Sequence, residues 1–434
     1  MVYFDDLSKI RRKFIHYYKK KNYANCIMTG QKLIALYKKN GDVSNIDYAD
    51  DLYNLACAYY ESGSYSQSKT LYIDSIKIVR KLLGKGASYA DRLNNIALCC
   101  VKLNELSFAE KYLKEAAVIS SENGQEYSEK HLDCLYNLAN VHYDLCDYDN
   151  AIKQHVTVLF NRKAENDAYT DSLNCIGYAY EKLGDMENSI NYMKRATANI
   201  KKLHGTNSEA YLANIYYIAH MYSKKEDFGM AVKSYEEAKS IINKVYSEKH
   251  PYYADTLNKL AEALFANGQK EKALELRLDA LRIVKEQIGV NHVYYANSLR
   301  NIALIYKSEG NEEKSIEYFS RALEIKADIV GKNSIDYIKD VMLLSGMYIE
   351  RYEYDRAMSL LNATLEELKK DGEEFANIIP EINKIFNSIQ NIKKIKDTYS
   401  NTTEKTSEDK VDIFKLLKVV EDRISRKSKV EEAE

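Results

Sequence analysis

Cysteine and histidine are the side chains of this sequence best suited to nucleophilic or metal chemistry, and it holds 7 and 8 of them, respectively. The adjacent Cys99 and Cys100 could form a redox or metal-binding pair, because thiolates are nucleophiles and metal ligands. No CxxC spacing occurs, however, and small thiols also pack well inside helices. His250 and His292 lie 42 residues apart in similar local sequences. These spacings favour structural roles, and we predict no metal site.

Enzyme motifs are missing from the sequence. It contains no HExxH metal motif, no GxGxxG or GxxxxGK[ST] phosphate loop and no GxSxG nucleophile turn. The segment Gly84-Lys85-Gly86 is too short to be a phosphate loop. We therefore predict a non-enzymatic protein without a cofactor, and the alternative is an enzyme whose site has no recognised motif.

The charges of the chain are balanced. Lys and Arg number 63 against 64 Asp and Glu, which gives a net charge of -1. Nucleic-acid binding needs a basic surplus on some face. The clusters Arg11-Arg12-Lys13 and Lys19-Lys20-Lys21 could contact RNA, but a solvated face of a terminal helix explains them equally well. We predict no nucleic-acid partner.

Signals for export or membrane insertion are also missing. The sequence starts Met-Val-Tyr-Phe-Asp-Asp, with no basic and then apolar leader. No apolar run approaches the roughly 20 residues that a membrane helix needs. An odd number of cysteines fits reduced thiols. We therefore expect a cytoplasmic protein that has no membrane partner.

A repeat must position whichever residues carry the function. The fragment Leu-x-x-Leu-Ala-x-x-Tyr recurs, with successive spacings of 42, 41, 42, 38, 42, 42, 42 and 42 residues. We call its leading apolar residue the leader; the leaders are Ile10, Leu52, Leu93, Leu135, Leu173, Ile215, Leu257, Leu299 and Val341. Small residues recur 4, 16 and 23 positions after the leader, as at Ala261, Ala273 and Ala280. Small side chains let two helices approach closely, so each repeat is predicted to be a helix pair.

The pattern resembles the tetratricopeptide repeat in its version of about forty-two residues. The joints, such as His250-Pro251-Tyr252-Tyr253-Ala254-Asp255 and Gly289-Val290-Asn291-His292-Val293-Tyr294-Tyr295-Ala296, are most similar to those of kinesin light chains and their bacterial relatives. The resemblance implies an all-α fold, a right-handed α-solenoid of about nine helix-turn-helix pairs followed by C-terminal helices. It covers roughly residues 5 to 370.

The two ends depart from the repeat. Residues 1–47 are predicted to be a degenerate N-terminal capping repeat, because Lys13 and Phe14 replace the expected Leu and Ala. Residues 48–372 form the tandem array. We predict a capping helix over 373–396, a polar linker over 397–410 and an amphipathic C-terminal helix over 411–434, with Ile413, Leu417, Val420 and Ile424 on one side. This last helix could cap the array or occupy its groove, and capping is preferred.

Each first helix of a pair carries two stripes. The leader and the residues 3, 4 and 7 positions later form the packing stripe, whereas the residues at −2, +1, +2, +5 and +8 form what we call the second stripe. In the family that the repeat resembles, the second stripe lines the concave groove. The candidate peptide-binding residues on it are Tyr53, Asn54, Asn94, Asn95, Tyr136, Asn137, Asn140, Asn174, Tyr178, Tyr216, Asn258, Arg300 and Asn301.

Asparagine and tyrosine suit the recognition of an extended peptide. An Asn amide carries both a donor and an acceptor for a peptide backbone, and Tyr adds rigid apolar area with a polar tip. The alternative for Asn is hydrogen bonding between neighbouring repeats, and neither interpretation is preferred. For the recurrent Asp50, Asp91, Asp133, Asp171 and Asp255, helix capping or a favourable helix dipole is preferred to ligand binding.

A pocket for a terminal carboxylate is a further possibility that the resemblance raises. In the family, such a clamp pairs Lys and Arg with Asn on consecutive first helices. Only Lys259, Arg300, Asn301 and Lys339 approach this arrangement, and Leu304 replaces the accompanying Asn.

The sequence therefore predicts a protein-interaction scaffold or adaptor that holds a peptide or an unstructured partner segment in the concave groove. The alternative function is a sensor, similar to bacterial tetratricopeptide regulators that bind short signalling peptides and change conformation. Those regulators usually carry an N-terminal effector module, and we expect none here because the repeat begins at Ile10. The sequence assigns neither a particular partner nor an oligomeric state.

Overall fold

The computed structural model describes residues 2–122, 128–162, 165–370, 375–398, 413–420 and 422, and every regular element in these ranges is a helix. The helices are α1 Val2–Lys19, α2 Tyr23–Lys39, α3 Ile46–Glu61, α4 Tyr65–Leu83, α5 Ala87–Lys102, α6 Leu106–Glu122, α7 Glu129–Asp144, α8 Tyr148–Asn161, α9 Asp167–Lys182, α10 Met186–His204, α11 Glu209–Lys224, α12 Phe228–Val245, α13 Pro251–Ala266, α14 Lys270–Gln287, α15 Val293–Ser308, α16 Glu312–Ile329, α17 Ile335–Glu350, α18 Tyr354–Leu368, α19 Ile379–Thr398 and α20 413–420.

The chain divides into two compact units, Met1–Lys225 and Glu226–Glu434. Within the first unit, each of the helices α1 to α11 packs on its neighbours in sequence. Alternate helices also meet there, since α5 contacts α7 and α7 contacts α9. Within the second unit, the helices α12 to α19 pack in sequence in the same way. The prediction of an all-α helical solenoid is confirmed.

Helix ends follow the predicted joints. The Nδ1 atoms of His250 and His292 accept hydrogen bonds from the backbone N–H groups of Tyr252 and Tyr294, at 3.2 and 3.1 Å. These two histidines are therefore the N-caps of α13 and α15, which is a structural role as predicted. Between the helices of one pair, Gly310 adopts a φ of 77°, the left-handed conformation that glycine allows without strain.

Small residues lie at the centre of each helix pair. The side chains 4, 16 and 23 positions after the leaders are almost completely buried; Ala261, Ala273 and Ala280 are 0% exposed. Two of the serines that replace alanine bond to the backbone, since Ser68 Oγ donates to the Ala56 carbonyl and Ser315 Oγ to the Ala303 carbonyl, both at 2.7 Å. This confirms the helix phase that was inferred from the repeat.

The first repeat exchanges a small residue for a large one. Phe14 occupies the position that is small in later repeats, and it is only 1% exposed. Gly30 on α2 makes room for it, because a Cβ atom there would lie 2.9 Å from the Phe14 ring and 2.7 Å from Leu55. The neighbouring Arg11 is not a solvated charge, since its Nη2 donates to the buried Asp51 at 2.7 Å.

The helices after the last pair extend differently from the predicted ranges. Helix α19 begins at Ile379 and ends at Thr398, so it includes two residues that were assigned to the linker. Residues 399–410 of the predicted linker, and the first two residues of the predicted C-terminal helix, lie outside the described residues. In α20 the buried side chains are Ile413, Leu417 and Val420, and Ile424 lies outside the described part of the chain.

Helix α20 packs on the second stripe of α17. A Cβ atom at Gly346 would lie 3.6 Å from Leu417 Cδ1 and 3.7 Å from Phe414 Cε1. Gly346 is the fifth residue after the leader Val341. Of the two surfaces considered for this helix, it therefore contacts the groove side of α17.

Candidate binding surface

The candidate residues of the second stripe lie at the surface but are partly covered. In the first unit they stand on α3, α5, α7, α9 and α11, and in the second unit on α13 and α15. Asn54 is exposed, and the other twelve are half-buried. None belongs to the packed core, so all of them are placed where a ligand could reach them.

Several of these amides bond to the neighbouring first helix. Asn137 Nδ2 donates to Asn94 Oδ1 at 2.9 Å, and Asn95 Nδ2 donates to the Tyr53 hydroxyl at 2.7 Å. Asn174 Oδ1 accepts from Nδ2 of the buried Asn214 at 2.9 Å. The inter-repeat role that was considered for asparagine is therefore present. Each bond uses only part of an amide's capacity, because Asn carries two donor hydrogens and two acceptor lone pairs.

Three of the five aspartates of the second stripe are ion-paired, and none of the five caps its helix. Asp50 accepts from Arg92 at 2.6 Å, and Asp91 and Asp133 pair with Lys130 and Arg162. The caps of α3, α7 and α9 are instead Asn45, Ser128 and Asn166. The preferred capping interpretation is wrong for these aspartates, because they stand one turn or more inside the helix.

Residues of the second helices form a floor beneath the second stripe. They come twenty positions after the leader, and sequence analysis missed them. Tyr72 donates to Cys57 Sγ at 3.1 Å, and its ring lies 5.3 Å from the Tyr53 ring. The ring of His155 lies 5.5 Å from that of Tyr136.

The same floor position carries a buried cation in the second unit. Arg277 Nη1 donates to Asn258 Oδ1 at 3.4 Å, and burial lowers the pKa of its guanidinium. The sequence signal for the floor is an unusual residue type twenty positions after the leader. His155 and Arg277 stand there, whereas other repeats carry Leu113, Met193 or Phe319.

Tyrosine and cysteine side chains of the second stripe are neutral in the first unit. Burial raises the pKa of Tyr53 to about 12 and that of the Cys175 thiol to about 11. Burial also raises the pKa of the Cys57 thiol, although hydrogen bonds from Tyr72 and Tyr53 oppose this. These groups stay protonated near neutral pH, so they act as hydrogen-bonding groups rather than nucleophiles.

The residues considered for a carboxylate clamp are brought together in part. Arg300, Asn301 and Lys339 line one cavity of about 350 Å³, whereas Lys259 is not among the residues that line it. Asp340, which is 1% exposed, accepts from Arg300 Nε and from Lys326 Nζ, both at 2.6 Å. Two cations of the cavity thus share one buried carboxylate, whose single negative charge balances one of their two positive charges.

Neither a metal-binding cluster nor a membrane-spanning helix is found in the described residues. Within those residues, no group of three or more His, Cys, Asp or Glu side chains is arranged to hold a metal ion. Across the same ranges, no helix combines the length and the apolar character needed to cross a membrane.

Paired helices with small residues at their contacts, repeated through both units, define the class of helical repeat proteins. Three family models, each described as tetratricopeptide repeat, match residues 52–86, 170–199 and two overlapping ranges, 211–286 and 252–328. The chain therefore contains tetratricopeptide repeats in both units. Such folds are typically non-catalytic, and proteins of this family generally bind protein partners.

Solved structures of other repeat proteins are similar to this chain. A putative kinesin light chain from Podosopora anserina with nearly identical repeats is 21% identical, with 45% of this chain and 95% of that chain covered and a TM-score of 0.40. BtubC (BKLC) from P. vanneervenii is 17% identical, covers 52% and 92%, and has a TM-score of 0.41. The apo form of RapI is 15% identical, covers 65% and 98%, and has a TM-score of 0.42. No curated protein matches the chain in sequence.

Proposed function

We propose that this chain is a non-enzymatic scaffold whose second stripe binds an extended segment of a partner protein. The observation that carries the proposal is the row of half-buried Asn and Tyr side chains on successive first helices, which are already bonded to one another between repeats.

These inter-repeat bonds prepare the surface for a ligand. In the Asn137–Asn94 bond, the donor hydrogen of one amide meets the oxygen of the other. The Asn137 oxygen and the Asn94 amino group remain available, so the pair still offers one acceptor and one donor. Side chains that are held in place before binding lose less conformational entropy when a partner arrives, which favours affinity.

The spacing of the helices fits an extended peptide. Packed helices lie about 8–10 Å apart, and an extended chain rises about 3.3 Å per residue. A bound segment therefore meets a new first helix at about every third residue. Recognition of backbone groups by Asn tolerates different side chains, whereas Tyr and the floor residues select the apolar ones.

Asn54 offers the cleanest test of this proposal. It is exposed on α3, and Gln67 is an exposed amide on α4, the second helix of the same pair. The partner is first captured by pull-down and mass spectrometry, and its binding segment is then titrated by calorimetry. A single hydrogen bond contributes about 1 kcal/mol, so Asn54→Ala should weaken binding roughly fivefold. Gln67→Ala should leave the affinity unchanged, and equal effects of the two variants would refute the proposal.

A further inference from the structure

The second stripe of α17 differs from those of the preceding first helices. Its residues Met342, Gly346 and Ile349 are apolar and buried; Met342 is 1% exposed and Ile349 0%. On α15 the equivalent residues are Arg300 and Leu304, which are half-buried, and Lys307, which is exposed. The last repeat therefore presents an apolar surface at these three positions, where α15 presents the charged Arg300 and Lys307.

Helix α20 covers this surface with one apolar side. Ile413, Leu417 and Val420 follow the i, i+4, i+7 spacing of a helix face and are 0%, 5% and 0% exposed. The other side of α20 faces solvent, since Lys418 is exposed and Val419 is 38% exposed. The helix thus touches the unit on one side only.

Gly346 makes the close approach of α20 possible. The contacts of its built Cβ atom with Leu417 and Phe414, at 3.6 and 3.7 Å, leave room for a methyl group but not for a longer side chain. At this position the eight preceding repeats carry larger side chains, namely Ile15, Cys57, Leu98, Asn140, Tyr178, His220, Glu262 and Leu304. The last repeat alone has the space for a helix to lie across its second stripe at this point.

We propose that the second stripe of α17 is a helix-docking surface and that α20 is its exchangeable occupant. The surface binds an amphipathic helix with apolar residues at i, i+4 and i+7, so a partner helix of this pattern competes with the chain's own tail. This proposal deepens the proposed function, because it uses the same face of the first helices. It names a helical ligand for the last repeat, in place of the extended one.

Two observations support exchange rather than permanent packing. The core of the last repeat does not consist of α20 alone, since α18 and α19 contribute Leu361, Leu365, Ile382 and Ile385, which are at most 2% exposed. In addition, isolated helices shorter than about 12–15 residues are marginal in water. The apolar surface therefore stabilises α20 as a helix, and docking of a helix into an apolar groove is a recurring mode of recognition.

The test uses the full chain and a fluorescein-labelled synthetic peptide of residues 411–426, with binding followed by fluorescence anisotropy. Leu417→Asp places a charge on the buried side of α20 and should release the tail. Val419→Asp adds the same charge to the exposed side of the same helix and serves as the matched control. Adding Gly346→Leu to the Leu417→Asp chain should fill the surface.

The labelled peptide should bind the Leu417→Asp chain at least tenfold more tightly than the wild type or the Val419→Asp chain. The added Gly346→Leu should reverse this gain at least tenfold. Equal binding to the Leu417→Asp and Val419→Asp chains would overturn the proposal. Cooperative loss of helicity in both Leu417→Asp and the milder Leu417→Ala would overturn it as well, because α20 would then be permanent core. No partner protein enters this assay, so its failure is distinct from failure of the proposed function.

Discussion

His155 is a polar side chain at a floor position where other repeats carry the large apolar residues Leu113, Met193 and Phe319. It is 1% exposed, and neither ring nitrogen has a hydrogen-bond partner among the described residues. Burial lowers the pKa of its imidazole from 6.5 to about 4. Between pH 6.5 and about 4, the imidazole therefore stays neutral in the folded protein, whereas it binds a proton in the unfolded chain.

This difference predicts a loss of stability in mild acid. The His155 contribution is fully present above pH 6.5 and is lost as the pH falls from 6.5 towards 4, because only the unfolded state gains the proton. By linkage, the loss at pH 5 should be roughly 2 kcal/mol. Urea unfolding of the wild type and of His155→Leu at pH 7.5 and pH 5 measures it. The Leu variant should lack this part of the pH dependence.

An exposed histidine provides the control. His16→Leu removes a ring at the surface of α1 and should keep the wild-type loss of stability between pH 7.5 and pH 5. If His155→Leu keeps that loss too, His155 is not the source of the acid sensitivity.

At the scale of residues, the sequence predicted which side chains lie on the second stripe better than it predicted their hydrogen-bond partners. The helix period places Asn94 and Asn137 on one stripe, and both are half-buried there. Their mutual bond depends on the relative position of two first helices, which a repeat spacing of about forty-two residues does not define to within a hydrogen-bond length. The floor residues Tyr72 and Arg277 were missed because only the small positions of the second helices were followed.

At the scale of helices, the contact between α13 and α14 tests the predicted packing. Ala261→Leu inserts three heavy atoms between Ala261 and its neighbours at a position that is 0% exposed. Such overpacking typically costs about 1–3 kcal/mol, and denaturant unfolding should show a destabilisation of that size. Lys272→Leu adds the same side chain at an exposed position of α14 and should change stability much less.

Equal effects of these two substitutions would mean that the helix phase is wrong. Lys270, also in α14, would be a poorer control, since its Nζ donates to the Ser308 carbonyl of α15 at 2.9 Å.

The sequence predicted the helices of the repeats more accurately than those of the C-terminal region. Leaders and small residues recur at fixed offsets, and each offset corresponds to a contact. After the last pair that pattern ends, and α19 begins at Ile379 rather than at Glu373. The position of α20 on α17 depends on the space that Gly346 leaves because it has no side chain. The spacing of apolar residues in the sequence does not reveal that space.

At the scale of the whole molecule, the burial of the cysteines predicts how many thiols react rapidly with a thiol reagent. All seven are free thiols, and Cys146 is the exposed one. Burial raises the pKa of Cys26 and of Cys134 to about 11. One thiol should therefore react rapidly with a maleimide in the folded chain, and Cys146→Ser should abolish this fast phase. Two or more fast thiols in the variant would contradict the described burial.

The central claim is that a partner segment lies along the second stripe, and hydroxyl-radical footprinting of the chain with its captured segment tests it most directly. Tyr53, Tyr136 and Tyr178 are half-buried on the second stripe, whereas Phe108 and Phe160, on the second helices α6 and α8, are 57% and 88% exposed. We expect the bound segment to lower the oxidation rates of the three tyrosines severalfold and to leave those of both phenylalanines unchanged. Protection of Phe108 and Phe160 without protection of the tyrosines would place the partner on the second helices and contradict the account.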